Sequence, residues 1–456
     1  MSMLITVAEL ARVIPGDLRG DGRVGFSSVS TDSRTLSPGA LFVALTGERF
    51  DGRDYVAQAR ENGAVAALVE RAVDIDVPHL IVADSKHAFG MAAGSWRARF
   101  TLPVIAVAGS NGKTTVTQMI AAIFAAEYGD KGRLATRGNL NNDIGVPLML
   151  WQLARQHRAA VFELGMNHRG EIAYLAELVR PTIALVNNAQ REHQEFMVSV
   201  EATAYENGEA IAALSDDGVA VFPADDACAP IWRQLAGTRR VIDFALDASA
   251  VVTATFHNEE GGVRVSMATP DGVIDVQLAA GGLHNVRNAL AAAACSIAAG
   301  IGAGAIAAGL TAWRPVAGRG ARVRMQQGAL IDDSYNANPD SVRAAIDLLA
   351  ASPAPRVLVL GDMGEVGARG PEFHREVGLH ARERGIDSLF ATGPLMREAA
   401  QAFGANAVHF DDLAALIAAL RSKLQPGATV LVKGSRFMQM ERVVQALAAQ
   451  QAEEAH

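Results

Sequence analysis

The chain is poor in the features that would place it outside ordinary globular proteins. It has two cysteines in 456 residues, Cys228 and Cys295. That is too few for a disulfide framework, so they read as buried thiols in a reducing compartment, and a cytoplasmic protein is expected. Basic residues are outnumbered: 41 Lys and Arg against 49 Asp and Glu give a formal charge of −8. This argues against a nucleic-acid binder working by bulk electrostatics. The N-terminal segment MSMLITVAELARVIPG lacks a basic region and carries Glu9 early, so no secretory signal is expected. One uncharged stretch, Ala289 to Trp313, could be mistaken for a membrane span. It is mostly alanine and glycine, with glycines at 300, 302 and 304, and has little driving force for transfer into hydrocarbon. Two short buried helices joined by a glycine turn are expected there instead of membrane insertion.

A further absence is local. In 104-VIAVAGSNGKTTVTQMIAAIF-124 the turn resembles a Walker A loop, but the position of the first Walker glycine holds Val107. What remains is Gly109, Ser110, Asn111, Gly112, Lys113, Thr114 and Thr115 between an apolar run and a helical pattern of Met119, Ile120, Ile123 and Phe124. Strand, tight turn and helix is the context in which orphan amides and the helix dipole favour an anion. Lys113 then supplies charge at phosphates, and the Thr114 hydroxyl is a candidate magnesium ligand. The competing reading is an ordinary turn with a surface lysine.

The pattern along the chain is α/β. From the phosphate-loop strand to about Arg314, apolar strands such as AAVFELG and IALVNNA alternate with helical stretches. A strand-rich patch follows (VVTATFH, GVRVSMAT, VIDVQLAA). After Pro315 the pattern resets, with ALIDDSYN, RVLVLGDMG, SLFATGP and TVLVKGSR each leading towards a helix, as in a second doubly wound sheet. Polar groups collect at strand ends. Glu163 is placed to hold magnesium, or equally to cap a helix or form an ion pair. Asn187, Asn188 and His193 follow the next strand. Asn285 and Asn288, three apart on one helix face, could read a base edge or cap the helix. Asp332 and Asp333 are expected to follow a strand directly, where ribose hydroxyls or phosphate-bound metal bind.

The motifs GSNGKTT, FELGMNHRGEI, the His193 loop, GLHNVRN and DDSYNANPDS, in this order, resemble the ATP-dependent Mur ligases of peptidoglycan synthesis over the whole chain. TRGNLNNDIGVP, LGDMGEVG and VLVKGSR point to the branch that adds D-alanyl-D-alanine to UDP-N-acetylmuramoyl-tripeptide. The resemblance accounts for the shortened loop, since these ligases share Gly-x-x-Gly-Lys-Thr/Ser. It implies three domains: a small N-terminal α/β UDP-binding domain over 1–84, a central P-loop-type ATPase domain with a mostly parallel sheet over 85–314, and a Rossmann-like doubly wound domain over 315–456 that closes on ATP and helps bind the dipeptide. The reaction it implies is phosphorylation of the tripeptide's terminal carboxylate by ATP with magnesium, then attack by the dipeptide amine. A monomer is expected.

Carried over by residue, Lys113 grips the phosphates, Thr114 and Glu163 hold the first magnesium, and His193 ligates a second. Asn285 and Asn288 face adenine, Arg319 reaches the γ-phosphate on closure, and Asp333 binds near the ribose. Ser33 and Arg34 contact the uridine nucleotide, and Asn141 and Asn142 the muramoyl-peptide. Lys433 and Ser435 orient substrate, with a helix N-cap as the alternative for Ser435. One departure stands out. The lysine that is carbamylated in this family is replaced by Asn207 in YENGEAI, and the usual Asn-x-Asp-Asp turn reads PADD. An amide cannot be carbamylated, so a more weakly held second magnesium is expected. Glu206 is expected to point elsewhere, and Glu209 to keep an ordinary structural place. The N-terminal uridine-type segment and DDSYNANP argue against the rival folylpolyglutamate synthase. Intact Lys113, Glu163 and His193 argue against a decayed regulatory module.

Overall fold

The computed structural model describes residues 5–47, 50–192, 194–259, 262–325 and 328–453. Three main sheets follow one another along the chain. The first has five short strands, with Ala64–Val69 flanked by Ala40–Val43 and His79–Ile81 in parallel. The second has six strands, all parallel, in the spatial order 133–135, 159–163, 104–108, 183–186, 219–221, 240–241. Its middle strands, Val104–Ala108, Ala159–Glu163 and Ile183–Val186, are buried at every residue, as continuous apolar runs in a sheet covered on both faces should be. A four-stranded sheet over 244–278, antiparallel apart from its first pair, packs beside it. The third main sheet orders 321–325, 328–333, 428–433, 356–361, 388–392 and 407–410, parallel except for its first edge strand.

The strand-rich patch falls on Val252–Glu259, Gly262–Thr269 and Gly272–Leu278, as its alternating pattern suggests. The edge strands Ala321–Met325 and Ala407–Phe410 escaped the pattern because they are short or half-polar. The uncharged stretch is two helices, Leu283–Ala298 and Ala303–Ala312, meeting at a turn around Gly300. No helix among the described residues is long and apolar enough to cross a membrane. Its small residues serve close packing. A Cβ at Gly309 would run into the backbone of Ala122 and Ile123, so this helix rests directly on the backbone of the phosphate-loop helix, Lys113–Tyr128.

The first and second sheets share one apolar core. Leu10, Phe26, Leu41 and Leu68 belong to the same cluster as Val104, Phe162 and Trp232. The helix Ser85–Arg97 stitches them: Gly90 lies under the Tyr174 hydroxyl, and the Trp96 indole donates to the Leu153 carbonyl at 3.1 Å. Arg97 is buried, and its guanidinium donates to the carbonyls of Val179, Phe100 and Arg180 at 2.8, 2.6 and 2.9 Å. Burial without a carboxylate lowers its pKa to about 10. The third sheet has clusters of its own on each face, built entirely from residues beyond 322.

Candidate functional site

The strand ends of the central and third regions open on one cleft of about 1490 Å³, which the first region meets only at Asp84. This exceeds the 300–1,000 Å³ typical of a single drug-sized ligand, as a site for several substrates requires.

At its floor lies the phosphate loop. Gly112 caps the helix with φ +81, and a side chain there would collide with the amides of Asn288 and Asn187. Glycine is therefore needed both for the left-handed turn and for the space above it. The loop is clamped by neutral groups. The Asn111 amide N–H donates to Asn188 Oδ1 at 2.9 Å, the Gln190 amide N–H donates to Ser110 Oγ at 2.9 Å, and the Gly109 amide N–H donates to Asn207 Oδ1 at 2.8 Å. Asn207 is fully buried, and its Nδ2 donates to the Thr203 carbonyl at 3.1 Å. At this position the chain holds a strut for the phosphate loop. Glu206 turns away, as expected, and accepts the amides of Gly170 and Ile172 at the start of the neighbouring helix Glu171–Val179.

On one side of the loop the Thr114 hydroxyl donates to Glu163 Oε2 at 2.8 Å, and Asn141 Nδ2 donates to Glu163 Oε1 at 2.8 Å. Glu163 is the last residue of its strand and is buried. Neither a helix cap nor an ion pair is seen at Glu163, whose oxygens accept from a hydroxyl and an amide instead; the cation-ligand alternative stays open. This all-oxygen group suits magnesium, which is normally held by one or two carboxylates with water and phosphate. On the other side Lys113 folds over its own loop. Its Nζ donates to the carbonyls of Gly109 and Ser110 at 2.5 and 3.2 Å and lies 3.4 Å from Glu192 Oε2. His193 lies outside the described residues.

Asn285 and Asn288 are both buried. Asn285 donates to the Gly281 carbonyl and Asn288 accepts from Asn187 Nδ2 at 3.0 Å, so neither caps the helix. Both line the cleft. His284 beside them has its imidazole pKa lowered by burial.

The third region contributes the opposite wall. Asp332 and Asp333 are the last two residues of their strand rather than residues beyond it. Asp332 is spent on structure, accepting the Gly318 amide at 2.8 Å. Asp333 faces the cleft and pairs with Lys433 at 2.6 Å. Arg319 stacks over the Tyr335 ring at 4.2 Å. Ser435 makes no side-chain cap at the short helix Arg436–Met438. Its hydroxyl accepts the Gly364 amide at 2.6 Å and donates to the Ala337 carbonyl at 3.2 Å, tying two strand ends together. Asn142 lines the cleft, and its Oδ1 accepts the Gly145 amide at 2.8 Å at the start of the helix Gly145–Leu150. Ser33 and Arg34 are not brought to the cleft. Ser33 is buried and donates to Gln58 Oε1 at 2.7 Å, while Arg34 is exposed and paired with Asp32 at 2.9 Å.

Residues not singled out by the sequence pattern join the wall to the loop. Asn338 Nδ2 donates to Asn111 Oδ1 at 2.9 Å. Arg191 reaches Asp340 at 2.6 Å and Glu376 at 2.7 Å. Arg191 hydrogen bonds, helped by those of Arg343 and opposed by burial, hold the Glu376 carboxyl at about 2.

Family models match most of the chain: the Mur ligase family catalytic domain over 26–100, the Mur ligase middle domain over 107–296, and the Mur ligase glutamate ligase domain over 318–436. The Escherichia coli UDP-N-acetylmuramoyl-tripeptide--D-alanyl-D-alanine ligase is 43% identical, with 97% of this chain and 98% of that protein aligned. Among solved structures, MurF from Acinetobacter baumannii superposes with TM-score 0.92 at 33% identity, covering 98% and 99% of the two chains. MurF ligase from Thermotoga maritima in complex with ADP gives 0.83 at 25% identity, covering 94% and 98%.

Proposed function

Because the chain belongs to the Mur ligase family, we propose that it joins D-alanyl-D-alanine to UDP-N-acetylmuramoyl-tripeptide at the expense of ATP, in the cytoplasm. The observation that carries this reading is the convergence of Lys113, Glu163, Asn285, Arg319 and Asp333 on one multi-substrate cleft. The division into 1–84, 85–314 and 315–456 is part of the proposal, with Ser33 and Arg34 on the uridine nucleotide and Asn141 and Asn142 towards the muramoyl-peptide.

The chemistry brings two anions together, since a carboxylate must attack the γ-phosphate of ATP. Lys113 leaves the carbonyls of its own loop and takes the phosphates, while the loop amides hold them from below. Magnesium, when bound at Thr114 and Glu163, offsets negative charge on the phosphates. Arg319, aimed by Tyr335, meets the transferring phosphoryl group from the opposite wall. The amine of the dipeptide then displaces phosphate from the acyl phosphate. The docked third region keeps water from that intermediate. Asn285 and Asn288 face adenine, and Asp333 lies towards the ribose.

The test is release of ADP. It should require the UDP-muramoyl-tripeptide and D-alanyl-D-alanine together, with one new amide per ADP. ADP release with glutamate and a folate in place of these substrates, or none with either set, would sink the reading.

A further inference from the structure

Glu192 is a buried carboxylate at the edge of the cleft, 5% exposed. Its Oε2 lies 3.4 Å from Lys113 Nζ, and its Oε1 has no hydrogen-bond partner among the described residues. An orphaned, buried carboxylate oxygen is costly, so its place beside the phosphate loop requires an explanation. In the resting protein Lys113 is the cation that faces Glu192. Once Lys113 turns to the phosphates of ATP, Glu192 is left as a buried anion without a counter-charge, next to further negative charge. A divalent cation arriving with the nucleotide balances both. Other side chains that could ligate such a cation are committed elsewhere: Asn207 to Gly109, Glu206 to Gly170 and Ile172, and Glu163 to Thr114 and Asn141.

We propose that Glu192 ligates a second divalent cation bound together with ATP, through Oε1 and on the Lys113 side of the loop, so that Glu192 supplies the anionic ligand that Asn207 cannot. The two carboxylates then flank the loop, Glu163 for one ion and Glu192 for the other. Few protein ligands are needed, because magnesium completes its shell with phosphate oxygens and water. This rests on the ATP-ligase reading above.

The experiment uses the full chain with a non-hydrolysable ATP analogue and UDP-muramoyl-tripeptide, titrated with Mn²⁺ while free ion is followed by electron paramagnetic resonance. The wild type should bind two ions per chain. Glu192→Gln should keep the first and weaken the second at least tenfold. Glu192→Asp, which keeps the charge, should recover part of that loss. Superimposable isotherms for wild type and Glu192→Gln, with one ion or two, overturn the proposal. It is equally overturned if Glu192→Gln changes only the affinity for the analogue in EDTA, because Glu192 would then be a counter-ion for Lys113 alone. Failure of the wild type to ligate the dipeptide would instead strike the reading on which the proposal rests.

Discussion

The two outer regions meet the centre in opposite ways. The N-terminal region shares a continuous apolar core with the central sheet, pinned by the buried Arg97 and the helix Ser85–Arg97. The C-terminal region keeps its apolar clusters to itself and holds the centre mainly through charged and polar groups: Arg191 with Asp340 and Glu376, and Asn338 with Asn111. Apolar burial is non-directional and unaffected by screening, whereas ion pairs at a half-buried surface yield to salt and to competing ligands. The first joint should therefore resist salt, and the second should weaken with it.

The phosphate loop lies against the polar joint, through Asn111 and Asn338, and it gives the largest effect. Lys113→Ala should lower ligation on the order of 10³-fold, as loss of a charge acting on the transferring group does. The chain should still fold, read from far-ultraviolet dichroism, with a lowered melting temperature because the buried Glu192 loses its counter-charge. Loss of the folded spectrum would mean that Lys113 is needed for the fold itself. The apolar joint is tested by Phe89→Ala, which should destabilise the protein by about 3–5 kcal/mol, read from denaturant unfolding. A loss below about 1 kcal/mol would show that this joint is not a true core. Arg319→Ala, on the polar wall, should cut turnover roughly a hundredfold yet leave ATP affinity nearly unchanged without the other substrates. Equal losses would make Arg319 part of the resting site. Arg191→Ala should loosen the polar joint about tenfold, between the small value of exposed pairs and the larger one of buried pairs. Small-angle scattering should report an expanded envelope in the variant, and 0.5 M salt should produce the same expansion in the wild type. An unchanged envelope in both would remove the contrast between the joints.

The smallest effect is with pH. The folded Glu376 carboxyl titrates at about 2, against an ordinary value of 4.5. Its contribution to the docked state is therefore complete above pH 4.5 and is lost as pH falls from there towards 2. The envelope should open across that window while the core around Phe89, followed by near-ultraviolet dichroism, persists. Opening above pH 5 would point to another group.

Much of this was legible in the sequence where chemistry is tied to a strand end. Glu163, Lys113 and Asp333 announce themselves because an apolar run fixes where each side chain emerges. What stayed hidden are partners separated by long stretches of chain. Nothing near Asn207 says that it will hold Gly109, and nothing near Arg191 names Asp340 or Glu376. Ser435 suited a helix cap by type, yet the neighbouring strand end offered it a better partner in Gly364. Ser33 and Arg34 sit away from the main cleft because their loop belongs to the outer edge of the first sheet, a placement no local pattern encodes.

The helix Ala303–Ala312 lies behind the nucleotide site, with Gly309 seated on the backbone of Ala122 and Ile123. Because backbone meets backbone there, no rotamer change can absorb an added atom. Even one methyl group at Gly309 would force the two helices apart. The seat of the phosphate-loop helix is thus fixed from behind by the smallest of side chains, at a position no cleft-lining residue occupies.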